Sequence, residues 1–598
     1  MANENGGNSK VGIVIGTKES TPCEFWFEVF GDNPVCVDDI VKVENYVERI
    51  GKVSFFGVVV NILKGFEGVD FHSWNKETLR GIIPYQVYHI AHVRITRIEP
   101  ESKLIPPDPG SEVFRVVSTE ETRKAMNMDD KKNLLPAGIL NNGEVAYINW
   151  EFINGQKGAH ISISGISGIA TKTSYSLFLI HSMMYCRTID EREKRNLRAL
   201  VFSVKGEDLL HIDKESREFD NNAKLQFEKM GLETTPFRTK DINFYLPPDP
   251  EDPSRPLTSE RQDEKTCIYG WSLKDFFKER LVEYMFDQEE RENDNFTYVL
   301  NHFSDVMKRE AEESPECRVE VKVGNKVFNL VSLYDDAETR KVVDKIKNSE
   351  RIDISLSQLL ELTGQEDENL GVDTEELRRF FFPSKAQHQT ISKFIRKFAV
   401  CAKDISFLVR MKESKKVDWE SKKVTVISIS DKFLSFRAQR FVVGSILSEL
   451  YFGEKTPKSK GLTVFVMLDE LNKYAPAVGF SPIKNILLDI AERGRSLGII
   501  LIGAQQMASE VDPRIISNSS VKVNGRLDSA EVENRVYRHL SSEFREKAKK
   551  IRSGTMILFQ PDIEVPLVIN FPKPPYATRK EEIKPSETEL KEIESSFA

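Results

Sequence analysis

The sequence predicts an α/β protein: a parallel-sheet core with a β-rich N-terminal domain, interrupted by a mostly helical insertion. Three observations predict it. Short β-rich runs separated by turn-formers fill the first 150 residues. Beyond Trp150, apolar strands end in Gly-rich or polar turns and pass into helices, the pattern of a parallel sheet. That alternation stops between about 240 and 420 and then resumes.

Taken in order, Val11-Gly-Ile-Val-Ile, Phe25-Trp-Phe-Glu-Val-Phe, Val53-Ser-Phe-Phe-Gly-Val-Val-Val and Tyr85 to Ile98 read as strands, with Gly31-Asp32-Asn33-Pro34 as a turn between them. Strands this short and this evenly spaced make a small barrel or sandwich over residues 1–150. His89 and His92 share one strand, and their odd separation points them to opposite faces, which argues against a common metal site. Pro106 to Gly110 is a loop.

Residues 151–240 begin the α/β core. His160 to Ser164 is a strand, Tyr175 to Met184 an apolar helix after its turn, and Leu200 to Val204 a second strand. Residues 241–420 form the insertion. Pro247, Pro248, Pro250, Pro253 and Pro256 mark an exposed loop. Leu273, Phe276, Phe277, Leu281 and Tyr284 then share one helix face. Val319, Val321 and Val323 alternate up to the hairpin signal Gly324-Asn325, and a mostly helical stretch runs from Leu359 to Phe398. The core returns over 421–572 with the strands Lys423–Ser430, Thr463–Leu468 and Gly498–Ile502, and the charged residues 573–598 read as a tail.

At 598 residues the chain is long enough for about four compact units of on the order of 150 residues each. Its 85 Lys+Arg against 93 Asp+Glu give a net charge of −8, which excludes a chain that grips nucleic acid by bulk positive charge. With 40% hydrophobic and 30% charged residues the composition is globular. Cys23, Cys36, Cys186, Cys267, Cys317 and Cys401 contain no CxxC pair, so neither a disulfide framework nor a zinc ribbon is expected. No apolar run approaches the roughly 18 residues needed to span a bilayer, and Met1 to Lys10 is polar. The expectation is a cytoplasmic protein with no membrane association.

The sharpest local feature is Ile161-Ser-Ile-Ser-Gly165-Ile-Ser-Gly168-Ile-Ala-Thr171-Lys172-Thr173-Ser174, leading directly into a helix. A triphosphate needs converging backbone N–H groups with no side chains in the way, which calls for glycines. It also needs the positive end of a helix and one lysine for the outer phosphates. A hydroxyl directly after that lysine, here Thr173, can coordinate Mg²⁺. The candidate nucleotide-binding residues are therefore Gly165, Gly168, Thr171, Lys172, Thr173 and Ser174. Two departures from the strict G-x-x-x-x-G-K-[ST] pattern stand out: Thr171 replaces the glycine before the lysine, and the loop from Gly165 to Lys172 is one residue longer. The bland reading is a Ser/Gly-rich turn with a surface lysine.

The strand Thr463–Leu468 ends in Asp469-Glu470, two acids at the strand end where open α/β sheets bind ligands. Asp469 is the candidate Mg²⁺ ligand with Thr173, and Glu470 the residue that polarises the attacking water. Two solvated acids are the ordinary alternative for this strand taken alone. Past the strand ending at Ile502, Gln505 in Gly503-Ala504-Gln505-Gln506 can sense the γ-phosphate. Arg495, in Ala491-Glu-Arg-Gly-Arg-Ser-Leu-Gly498, and Arg526 are candidate arginine fingers, against the alternative of ordinary surface arginines.

A β-rich N-terminal domain followed by Gly-Ile-Ser-Gly-Ile-Ala-Thr-Lys-Thr-Ser, Leu-Asp-Glu-Leu-Asn-Lys-Tyr-Ala-Pro, Glu-Arg-Gly-Arg-Ser-Leu-Gly and Gly-Ala-Gln-Gln resembles the HerA family of HerA/FtsK-type ATPases. The resemblance covers about three quarters of the chain and leaves the insertion unconstrained. It implies a RecA-like P-loop core behind an N-terminal barrel, and a homohexamer that hydrolyses ATP with Mg²⁺ and moves double-stranded DNA through its pore. It also implies work beside a partner effector, a nuclease or a Sir2-type protein, as in bacterial anti-phage defence. Under it Lys172 and Thr173 match the P-loop, Asp469 and Glu470 the Walker B acids, Gln505 the sensor and Arg495 the trans-acting arginine. Thr171, and Ser203 where relatives often carry an acid, depart from the family pattern and raise the question of slower hydrolysis.

Two other readings use the same pocket. One is an ATP-bound oligomeric scaffold that assembles and switches an effector with little translocation. The other is a monomeric P-loop enzyme acting on a small molecule, for which no dedicated substrate motif is visible. Lys412, Lys415, Lys416, Lys422 and Lys423 form a basic cluster that reads as solvated surface rather than pore lining.

Overall fold

The structure is a computed structural model describing residues 9–31, 33–67, 86–166, 172–286, 294–315, 318–336, 346–364, 372–453 and 456–585. Its N-terminal strands are β1 (Lys10–Val14), β2 (Glu24–Val29), β3 (Ile40–Val47), β4 (Gly51–Glu67), β5 (Gln86–Glu99) and β6 (Glu112–Arg115). They close into a barrel in the order β1-β2-β5-β4-β3-β6. The alternation of β2 shows why: Phe25, Phe27 and Val29 point inward while Glu24, Trp26 and Glu28 point out. Val41, Val43, Phe55, Val59, Val93 and Val113 complete this core. His92 is buried, stacked on Trp26 with ring centroids 4.1 Å apart and bonded to Glu24 at 3.0 Å.

The outward face of the barrel is not free. Ile40, Phe56, Val58 and Val60 pack into the main core, and Lys547 Nζ reaches Asp38 at 2.6 Å across the junction. The barrel is complete at Arg115. The next strands, β7 (Leu134–Ile139) and β8 (Val145–Asn149), join the large sheet instead, so the β-rich stretch of 1–150 is divided between two sheets.

That large sheet adds β9 (Ile161–Ser164), β10 (Leu197–Ser203), β11 (Ile242–Leu246) and β12 (Thr266–Ile268). A separate three-stranded sheet is formed by β13 (Val319–Val323), β14 (Lys326–Ser332) and β15 (Arg351–Ser355), with β13 and β14 joined at the Gly324-Asn325 turn. The large sheet continues with β16 (Val424–Ser428), β17 (Thr463–Asp469), β18 (Ile499–Gln505), β19 (Val521–Asn524), β20 (Thr555–Gln560) and β21 (Ile563–Asn570). Its twelve strands run β12-β11-β16-β10-β17-β18-β9-β19-β20-β21-β7-β8. From β12 to β19 every pairing is parallel, and from β20 to β8 every pairing is antiparallel.

This order answers the expectation of a RecA-like core. The strand before the glycine loop, β9, and the strand ending in two acids, β17, are separated only by β18, so their carboxyl ends open onto one crevice. The stretch 241–420 contains helices at 374–381 and 388–405, within or overlapping the stretch read as helical, and an unforeseen one at 294–313, beside β13–β15. The single helix face read over Leu273–Tyr284 is divided into a helix Leu273–Lys278 and a 3-10 turn Leu281–Met285, because Arg280 between them takes φ 57°. Its first strands, β11 and β12, belong to the main sheet, so the chain leaves that sheet only after Ile268.

The helix Lys172–Tyr185 behind β9 is buried on nearly every side. Its faces are covered by the sheet and by aromatic neighbours: Phe178 against Phe227 and Phe571, and His181 against Phe237 and Tyr576. Tyr576 belongs to the charged C-terminal stretch, whose described part is a strap rather than an arm. Ala577 N donates to Lys214 O at 2.9 Å, Leu209 N to Thr578 O at 2.7 Å and Arg217 N to Glu582 O at 2.8 Å. Among the described residues no helix is long and apolar enough to cross a membrane.

Candidate functional site

Gly165 follows β9 directly and lies between two neighbouring strands. Its N–H donates to Gln505 O at 3.2 Å, and the next N–H, of Ile166, donates to Arg526 O at 2.8 Å. A Cβ on Gly165 would meet Arg526 O and the Gly525 Cα at 3.3 Å, so a glycine permits this close backbone approach. Gly168 and Thr171 lie outside the described residues. The helix opens at Lys172, so the lysine, Thr173 and Ser174 occupy its first turn, where the dipole favours an anion and where no acidic side chain stands.

Lys172 is 3% exposed. Its Nζ lies 3.8 Å from Glu470 Oε1, an ion-pair distance beyond hydrogen-bond reach, and among the described residues the buried ammonium has no hydrogen-bond partner. Burial pushes it below the usual lysine range, against the pull of Asp469 and Glu470. A buried cation with unsatisfied donors is costly unless an anion completes its shell.

The acids come from β17. Thr173 Oγ1 donates to Asp469 Oδ2 at 2.7 Å, which brings together the hydroxyl and the carboxylate named as metal ligands. The other Asp469 oxygen accepts from the Glu470 N–H at 2.9 Å. Glu470 itself sits at φ 56°, a left-handed conformation costly for a non-glycine residue and most often kept at functional sites. This turn swings its side chain back toward Lys172. Burial alone would raise the Glu470 carboxyl. The bond from Gln506 and the charges of Lys172, Lys205 and Lys473 outweigh it and hold the group below the ordinary glutamate range.

Gln505 is fully buried at the end of β18, but it faces β9: its amide donates to Ser162 Oγ and Ser164 Oγ, both at 2.8 Å, and among the described residues its carbonyl oxygen has no hydrogen-bond partner. Gln506, which the sequence reading passed over, is the neighbour that reaches Glu470 Oε1, at 3.1 Å. Lys205, in the turn after β10, was also missed and lies 3.8 Å from the same oxygen. The signal for both was the one used for the acids, a polar residue just past the carboxyl end of a parallel strand.

Arg495 is not gathered into this crevice. It occupies the last turn of the helix Pro482–Leu497, before β18, and its guanidinium caps Gly155 O at 2.7 Å and Gln156 O. The seven-residue strand β18 separates it from the crevice, roughly 20 Å. Arg526 stands at the carboxyl end of β19 beside Gly165 and is exposed. Ser203 Oγ donates to Asp208 O at 2.6 Å, closing the turn that carries Lys205.

The donor set fits a nucleotide and its metal through a buried ammonium with no hydrogen-bond partner among the described residues, a helix N-terminus, and a hydroxyl paired with a carboxylate. The N–H groups of Gly165 and Ile166, expected to face a phosphate, are instead taken by Gln505 O and Arg526 O.

No protein-family profile matches the chain, and no curated protein matches it by sequence. Among solved structures it is similar to the bacterial conjugative coupling protein TrwB. The trigonal form of TrwB with sulphate gives a TM-score of 0.45 at 12% identity over 79% of this chain and 96% of that one. TrwB in complex with ADP and Mg²⁺ gives 0.44 at 12% identity over 78% and 95%. VirB4 of Thermoanaerobacter pseudethanolicus gives 0.35 at 11% identity over 77% and 99%.

Proposed function

We propose that the chain is an ATPase that converts ATP hydrolysis into movement along double-stranded DNA, as a HerA/FtsK-type homohexamer. In this proposal it works beside a partner effector of nuclease or Sir2 type in anti-phage defence. The observation that carries the ATPase reading is the meeting of Lys172 and Thr173 with Asp469 and Glu470 in one crevice, from segments almost 300 residues apart in sequence.

In this reading Lys172 binds the outer phosphates, and the first turn of the helix Lys172–Tyr185 turns its N-terminal end toward them. Thr173 and Asp469 would hold Mg²⁺, which would supply neutralisation of phosphate charge. Glu470, ionised and aimed by its left-handed backbone, orients the attacking water and accepts its proton. Gln505 relates the end of β9 to the end of β18 through Ser162 and Ser164, a route by which γ-phosphate loss is felt in the sheet. Arg495, remote from its own chain's crevice, is assigned to the neighbouring subunit's nucleotide.

Steady-state Mg-ATP turnover with and without duplex DNA tests this proposal. DNA is expected to stimulate turnover in the wild type. Glu470→Gln is expected to lower turnover by about 10²-fold or more while nucleotide binding persists. Turnover unaffected by Glu470→Gln contradicts the assignment, and turnover indifferent to DNA contradicts the motor.

A further inference from the structure

One hydrogen-bond donor and two cations converge on a single oxygen of Glu470. Gln506 Nε2 lies 3.1 Å from Oε1, and Lys172 Nζ and Lys205 Nζ each lie 3.8 Å from it. The two lysines differ in everything else. Lys172 is buried and opens the helix behind the glycine loop, so a triphosphate draws on it directly. Lys205 comes from β10, on the far side of β17, and its side chain is 47% exposed.

A half-exposed lysine on a loose turn gains little from an ion pair, because ordering a long side chain costs as much as the pair returns. The turn of Lys205 is anchored from several directions. Gly206 N donates to Asp431 at 2.9 Å. The Glu207 carboxylate accepts from Ser259 N at 2.8 Å and from Lys432 Nζ at 3.0 Å, and also from the Thr258 and Ser259 hydroxyls. Asp208 lies 3.5 Å from Arg579, and Leu209 N donates to Thr578 O at 2.7 Å on the C-terminal strap. Further along, Asp213 holds Arg261 through bonds of 2.7 and 2.9 Å. The backbone that follows Lys205 is thus fixed, and its ammonium lies 3.8 Å from one carboxylate.

We propose that Lys205 is a positioning residue for hydrolysis, holding the Glu470 carboxylate toward the attacking water once the triphosphate has engaged Lys172. The inference rests on the ATPase reading above and adds to it a cation from the neighbouring strand that acts through Glu470 rather than on the phosphates.

The full-length chain is assayed for Mg-ATP turnover with duplex DNA, and for binding of a non-hydrolysable ATP analogue, as wild type, Lys205→Ala, Lys205→Arg, Glu470→Gln and Lys205→Ala/Glu470→Gln. Lys205→Ala is expected to lower kcat about 10-fold, with KM and analogue affinity within about 2-fold, and Lys205→Arg to restore most of the rate. In the Glu470→Gln background the same change is expected to cost nothing further, because the group it positions is gone. An unchanged kcat, a loss confined to KM or analogue affinity, or an equal loss in the Glu470→Gln background overturns the inference while leaving the ATPase reading in place. A wild type without ATP turnover removes that reading and this inference with it.

Discussion

At the scale of single residues the decisive feature is a buried charge. Lys172 is 3% exposed, its ammonium finds no hydrogen bond among the described residues, and Glu470 Oε1 is 3.8 Å away. That charge stands beside two buried carboxylates, Asp469 and Glu470, and counters charge already taken out of water. Lys172→Met, which removes one partner and leaves the acids buried, is therefore expected to lower the unfolding midpoint of the nucleotide-free protein, and Lys172→Met/Glu470→Gln to recover part of the loss, read by calorimetry; a Lys172→Met midpoint at or above that of the wild type contradicts this. The lysine, Thr173 and the Asp469-Glu470 pair were legible in the sequence because each sits where a strand or loop hands the chain to a helix. The backbone geometry of Glu470 was not. A left-handed glutamate leaves no trace in composition or spacing. Gln505 and Gln506 are adjacent and chemically identical, and only the direction in which each side chain leaves β18 separates the one that binds Ser162 and Ser164 from the one that binds Glu470.

At the scale of elements, the turn after β10 shows what holds the site in shape. Burial raises the Glu207 carboxyl. The donors Ser259, Thr258 and Lys432 more than offset this and bring it down to about 2 from an ordinary value of 4.5. A carboxyl held lower in the folded than in the unfolded chain stabilises the fold above its unfolded value, and that contribution is lost as pH falls toward the folded one. Wild type is thus expected to melt higher than Glu207→Gln at neutral pH, and the gap in melting temperature to close as pH is lowered from about 4.5 toward 2. A gap that does not change with pH contradicts this role. The strands of the parallel core were read from their apolar runs, but β11, β12 and β19 were not read as its members. They are short, and their place in the sheet depends on partners distant in sequence, as with β19 beside β9. The strand β3 was likewise passed over. Its inner face, Val41 and Val43, is apolar, but Lys42, Glu44 and Asn45 lie between and beyond.

At the scale of the whole molecule, the sheet order does the assembling. Placing β18 between β9 and β17 brings a glycine loop and two acids into one crevice, and β10 on the far side of β17 adds Lys205. The division into a β-rich head, a parallel core and an inserted region was visible as changes in hydrophobic period. The seams were not. The barrel ends at Arg115 because β7 and β8 pair into the large sheet, and residues 572–585 lie as a strap because Tyr576 and its backbone find partners at 181 and 214–217. Such pairings are long-range, and local sequence carries little of them. The most direct test of the account is the dissociation constant of ATP with Mg²⁺, measured by isothermal titration for the wild type and for Lys172→Met. The account predicts saturable binding by the wild type and affinity at least about 10-fold weaker in the variant, from the loss of one charge-assisted contact. Equal affinity for the two proteins contradicts it.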